Sequence, residues 1–267
     1  MIVLKRKGSR STKDIPIDIM NQLNNGAIET ANLVEWLAVN QRILLTKLLQ
    51  ENHRNHYLDS IFLDIDILKK QTINTINEAI GVGLYKNIKV NNDIDFFSKL
   101  ANHTSDSVRC WATYIIGSNN DLSISEKLIQ IQPFAADSHF GVREIAWLAV
   151  RESIANNLLE SIEILSKWTA NKDENIRRFA SESTRPRGVW CTHIEVLKQN
   201  PEIAISILEP LKSDLSKYVQ NSVANWLNDT SKTKPEFVLA ICKLWKSKSN
   251  TKETAYIINR ALRTLEK

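Results

Sequence analysis

The chain has 267 residues, enough for one elongated domain or two small ones, and its 43% hydrophobic and 24% charged content is ordinary for a soluble globular protein. Three cysteines without a CxxC pair exclude a disulfide scaffold and a zinc ribbon, seven Gly and six Pro argue against a turn-rich β fold, and no apolar run reaches the length of a membrane span. The net charge of +5 suits a polyanionic partner, and the low, odd cysteine count fits a reducing cytoplasm.

Met1 to Leu4 is too short for a signal-peptide core and runs into Lys5, Arg6 and Lys7. Residues 1–13 read as a basic tail, either solvated or an arm that lies along phosphates. Asp14 before Ile15-Pro16 starts a short helix that Asn24-Asn25-Gly26 ends. From Glu29 to about Gln50, and again from about Tyr57 to Ile80, apolar residues recur at helical spacing, so residues 14–90 read as an N-terminal helical cap. Gly81 and Gly83 mark a turn, and Lys86 to Val90 fits an extended segment without excluding a helix. His53 and His56 have i, i+3 spacing, but no further ligand completes a set, so no metal is expected.

Past residue 90 the sequence repeats. Val108-Arg109, Val142-Arg143 and Ile176-Arg177 each pair a β-branched anchor with an arginine and an alanine three further on, at a period of 34. Looser copies anchored on Val219 and Ile257 follow at spacings of 43 and 38. Between anchors lie second amphipathic runs: Ser125 to Phe134, Leu158 to Trp168, Ile203 to Leu211 and Phe237 to Trp245. Two helices per period predict stacked hairpins, because a lone hairpin cannot bury its apolar face. Residues 91–267 therefore read as one right-handed α-solenoid with a concave binding side. The repeated Arg109, Arg143 and Arg177 serve either packing and hydrogen bonding or phosphates.

One stretch departs from this pattern. Ser181 to Trp190 places Glu182, Arg185, Arg187 and Trp190 around a helix break set by Pro186 and Gly188, which is either a site or a connecting turn. Glu182 stands six residues after its anchor and Asp229 ten after its own. That difference of four puts the two acids on one face about one turn apart on equivalent helices. Both are followed by cations, Arg185 and Arg187 in one case, Lys232 and Lys234 in the other, with Trp190 and Trp226 nearby. Acids, cations and aromatics together suit a nucleic-acid site.

The run Ser181-Glu182-Ser183-Thr184-Arg185-Pro186-Arg187 followed by Trp190 resembles the S-E-G-x-R-P-R-x-x-W motif of the HEAT-like-repeat alkylpurine DNA glycosylases of the AlkC and AlkD type, the AlkC branch above all. Ser222-Val223-Ala224-Asn225-Trp226-Leu227-Asn228-Asp229, continuing to Lys232, is similar to that family's S-V-A-N-x-L-N-D-x-x-K segment, and the final helix through Arg260 and Arg263 resembles its last helix. The resemblance covers residues 105–267 and implies an all-α solenoid that binds DNA in a basic groove, as a monomer, without metal or other cofactor.

By the same resemblance Glu182 and Asp229 match catalytic carboxylates, Trp190 the cleft aromatic, and Arg185, Arg187, Lys232, Arg151 and Arg263 DNA contacts. An alkylpurine already carries positive charge, and its release builds oxocarbenium character that a carboxylate stabilises. A third acid of the family, in a segment reading E-F-A-I-R, is replaced by Trp147 in Trp147-Leu148-Ala149-Val150-Arg151, with Glu144 one turn earlier. The expectation is a cytoplasmic, nucleoid-associated protein that binds damaged or branched DNA with weak or no base excision. The alternative is an active monofunctional glycosylase that works without base flipping. Glu182 and Asp229 are expected to stand open to solvent in a cleft with Trp190.

Overall fold

The computed structural model describes residues 6–265, so Lys5 of the expected tail lies outside the described residues. Among the described residues every regular element is helical and no strand occurs. No described helix is long and apolar enough to cross a membrane. The chain divides into two compact units, one of Met1–Asp121 with Ser138–Ala149, the other of Leu122–Asp137 with Val150–Lys267.

The first unit holds α1 (Ile17–Asn24), α2 (Leu33–Ala38), α3 (Gln41–Glu51), α4 (Leu58–Asp66), α5 (Ile73–Asn91), α6 (Ile94–Ala101) and α7 (Asp106–Ser118). The second begins with α8 (Ile124–Ala135), and α9 (Phe140–Asn156) contributes to both units. The second continues with α10 (Leu158–Trp168), α11 (Glu174–Ser183), α12 (Glu195–Gln199), a 3-10 turn at Pro201–Ala204, α13 (Ile205–Leu208), α14 (Lys217–Ser231), α15 (Pro235–Lys248) and α16 (Lys252–Leu262). The boundary drawn at residue 90 meets the end of α5 but falls inside the first unit, where α5 packs against α7.

Each predicted run of the cap is two helices, because a side chain restarts the helix in the middle. Asn40 accepts hydrogen bonds from the backbone of Arg42 and Ile43 and begins α3; Thr72 forms a capping box with Thr75 and begins α5. Gly81 and Gly83, expected to turn the chain, sit inside α5. A Cβ on Gly81 would lie 2.4 Å from Tyr114 Cβ and 2.8 Å from the Trp111 carbonyl, and one on Gly83 would lie 2.7 Å from Ile61 Cγ1. These glycines let α5 approach α7 and α4 closely, and that need outweighs their cost in a helix. The segment Lys86 to Val90 is the helical continuation of α5.

The basic tail is tied down at its described end. Arg6 donates to both carboxylate oxygens of buried Glu35 at 2.6 Å, and the Asn32 amide donates to the Ser9 carbonyl. Lys7, Arg10 and Lys13 remain exposed.

The repeat anchors Val108, Val142, Ile176, Val219 and Ile257 are all buried. The arginine after each of the first three anchors reaches back to the turn that precedes its own helix. Arg109 donates to the carbonyls of His103 and Thr104, Arg177 to those of Asn171 and Lys172, and Arg143 to that of Ser138. In the looser fourth copy Gln220 does the same with Asp214 and Leu215. The repeated cation is thus a staple for the turn carbonyls.

Candidate functional site

Glu182 and Asp229 come together in the second unit. Helix α11 buries Ile176, Phe179 and Ala180, which leaves Arg178 and Glu182 together on another face at i, i+4. Pro186 forbids continuation of the helix, and donors from other elements take up its last carbonyls. Trp226, fully buried in α14, donates its indole N–H to the Thr184 carbonyl at 3.0 Å. Arg151 donates to the carbonyls of Ser183 at 2.8 Å, Arg185 at 2.7 Å and Thr192 at 3.1 Å.

The clamped loop throws Arg185 between the two acids. Its Nη1 donates to Glu182 Oε1 at 2.7 Å, while Nε and Nη2 donate to Asp229 Oδ2 at 2.9 and 2.7 Å. Arg178 stands 3.5 Å from Glu182 Oε2 and 4.1 Å over the Tyr218 ring; Lys232 stands 3.5 Å from Asp229 Oδ1. The Ser222 hydroxyl donates to Glu182 Oε2 at 2.7 Å and accepts from Ser181.

Both acids are only 5% exposed. The expectation of two solvent-open carboxylates is therefore corrected: they are closed over by one shared guanidinium, since a buried carboxylate needs a compensating cation. Trp190 is placed differently from them. It is 80% exposed, with a left-handed backbone at φ 63° that is rare for a side chain of this size.

The expected DNA contacts also separate. Arg185 serves the acids and Arg151, buried, serves loop carbonyls, so neither presents a guanidinium at the surface in this conformation. Arg187 is half-buried, and its Nε has no hydrogen-bond partner. Lys232 keeps 46% of its side chain exposed, and half-buried Arg263 donates to Asn225 Oδ1 at 2.9 Å. Trp147 belongs to the first unit, where it is buried and donates to Glu144 Oε2 at 2.9 Å. Reading the sequence missed Arg178 and Ser222. Arg178 is within reach of the i, i+4 rule, whereas Ser222 heads the S-V-A-N segment but lies on another helix, so no local spacing ties it to Glu182.

Burial pushes the Glu182 carboxyl up, but the charges of Arg178 and Arg185 and the Ser222 hydroxyl overcome it, so it titrates below its ordinary 4.5. A depressed carboxyl contributes stability that is present above the unfolded value and is lost as pH falls through the folded one. Thermal melts of the wild type should therefore drop as pH is lowered below about 4.5, and Glu182→Gln should flatten that part of the profile. Parallel profiles for the two proteins would contradict this.

No protein-family model matches the chain. The uncharacterized protein YhaZ of Bacillus subtilis (strain 168) is 40% identical over 130 residues, which take in 49% of this chain and 34% of that relative. Among solved structures, the Pseudomonas fluorescens alkylpurine DNA glycosylase AlkC, bound to DNA containing an abasic site analog, matches with a TM-score of 0.67 at 20% identity, over 97% of this chain and 66% of that one. AlkD2 from Streptococcus mutans matches with a TM-score of 0.60 at 24% identity, over 78% of this chain and 97% of that one. The chain thus has the helical-repeat fold shared by AlkC and AlkD2.

Proposed function

We propose that this protein is a DNA-binding member of the alkylation-repair glycosylase superfamily, and that it binds alkylated DNA around the Ser181–Trp190 loop with little or no base excision. The observation that carries this reading is the acid pair itself: Glu182 and Asp229 share one partner, as acids placed to stabilise a cationic sugar would, but Arg185 already bridges them and offsets one of their two charges. Trp147 supports it, since by the sequence resemblance it replaces another acid of that family. Exposed Trp190 offers a face to a base or a cationic sugar, and Arg187 and Lys232 offer charge to phosphates.

Equilibrium binding to a duplex should weaken as salt rises, and Arg187→Ala with Lys232→Ala should weaken it further and reduce the salt slope. Release of N3- or N7-methylpurines should be slow or undetectable under the same conditions. Salt-independent binding would sink the DNA reading. The second reading, an active glycosylase, is favoured by the likeness to AlkC together with the paired acids. It would be supported by release far above spontaneous loss that Asp229→Asn abolishes.

A further inference from the structure

Arg185 is one cation shared by two anions that lie 47 positions apart in the sequence. The two carboxylate oxygens that it touches, Glu182 Oε1 and Asp229 Oδ2, take their short contacts from it, whereas Arg178 and Lys232 stand at 3.5 Å from the opposite oxygens. Its guanidinium is a planar, delocalised organic cation, as the charged ring of an N-alkylpurine also is. The acid pair is therefore already shaped around a planar organic cation.

The backbone that carries Arg185 is held on both sides. Arg151 takes the carbonyls of Ser183, Arg185 and Thr192, and Trp226 takes that of Thr184. The side chain, 11% exposed, can leave the acids by rotation about its own bonds without disturbing those clamps. Arginine pairs with phosphate as readily as with carboxylate, so a DNA strand offers it a second partner.

We propose that Arg185 is a built-in competitor of the cationic substrate. Its guanidinium fills the place between Glu182 and Asp229, and it turns to a strand phosphate when a cationic nucleotide takes that place. This rests on the DNA-binding reading above. A neutral nucleotide drives the exchange poorly, because it would leave the two buried carboxylates with the longer contacts to Arg178 and Lys232 in place of the short ones to Arg185.

The first arm of the test uses no DNA. Arg185→Ala should melt below the wild type, and millimolar methylguanidinium should raise its Tm in a saturable way. Wild type and Arg185→Ala/Asp229→Asn should not respond, and sodium chloride at equal ionic strength should have no effect. If Arg185→Ala is recovered unfolded, refolding in methylguanidinium replaces the melt. Failure of methylguanidinium in either format overturns the proposal.

The second arm compares a duplex bearing one N7-methylguanine with the unmodified duplex. The methylated-to-unmodified affinity ratio should rise about tenfold in Arg185→Ala over the wild type, equivalent to about 1.4 kcal/mol, with Arg185→Lys in between. Arg185→Lys carries this arm if the alanine variant does not fold. An unchanged or smaller ratio overturns the competitor role. Absence of all DNA binding by the wild type sinks the DNA reading and the competitor role with it; the first arm then still decides whether Arg185 fills a cation site.

Discussion

Arg185→Ala should destabilise the protein by about 3–5 kcal/mol, the usual cost of removing one partner from a buried ion pair. The loss is large because Arg185 serves two acids at once, and each is only 5% exposed. Without it Glu182 keeps Ser222 and a long contact to Arg178, and Asp229 keeps a long contact to Lys232. The penalty is therefore the desolvation of uncompensated charge more than the loss of contact area. Neutralising the acids as well, in Arg185→Ala/Glu182→Gln/Asp229→Asn, should restore much of the stability, since amides bury at lower cost than carboxylates. Urea unfolding at neutral pH measures both. A loss below about 1 kcal/mol for Arg185→Ala would mean that the pair behaves like a solvent-exposed bridge.

Trp226→Ala should cost a similar amount, about 3–5 kcal/mol, as large-to-small changes of a buried tryptophan do. Trp226 is fully buried in α14, and its indole N–H donates to the Thr184 carbonyl. The substitution opens a cavity and also frees the end of α11 that carries Arg185. Trp226→Phe separates these effects. It keeps most of the ring but leaves the Thr184 carbonyl without its donor, which should cost about 1–3 kcal/mol. It should also disturb DNA binding at the loop more than its stability loss would suggest. Equal stability of Trp226→Phe and wild type would show that the hydrogen bond contributes nothing net.

Much of the helical framework was legible because it repeats a local rule. The period of 34 marked by Val108, Val142 and Ile176 placed α7, α9 and α11, and the run Leu158 to Trp168 coincides with α10, since an apolar face must recur at helical spacing to be buried. Gly81 and Gly83 suggest a turn in sequence but serve close helix approach in the fold, because a glycine needed for either purpose has the same letter. The sequence leaves the arginines after the anchors open between packing and phosphate contact, and the structure decides for backbone stapling.

The sequence by itself determined an all-helical chain of repeated hairpins and singled out Glu182, Asp229, Arg185 and Trp190, because periodicity, helix breakers and acid spacing are properties of neighbouring residues. Only the tertiary structure decided how those residues divide their work. Whether a carboxylate is open or sealed depends on what another helix brings to it, and here α14 brings Asp229 and Ser222 to the end of α11, where burial forces Arg185 inward to compensate them and leaves Trp190 outside.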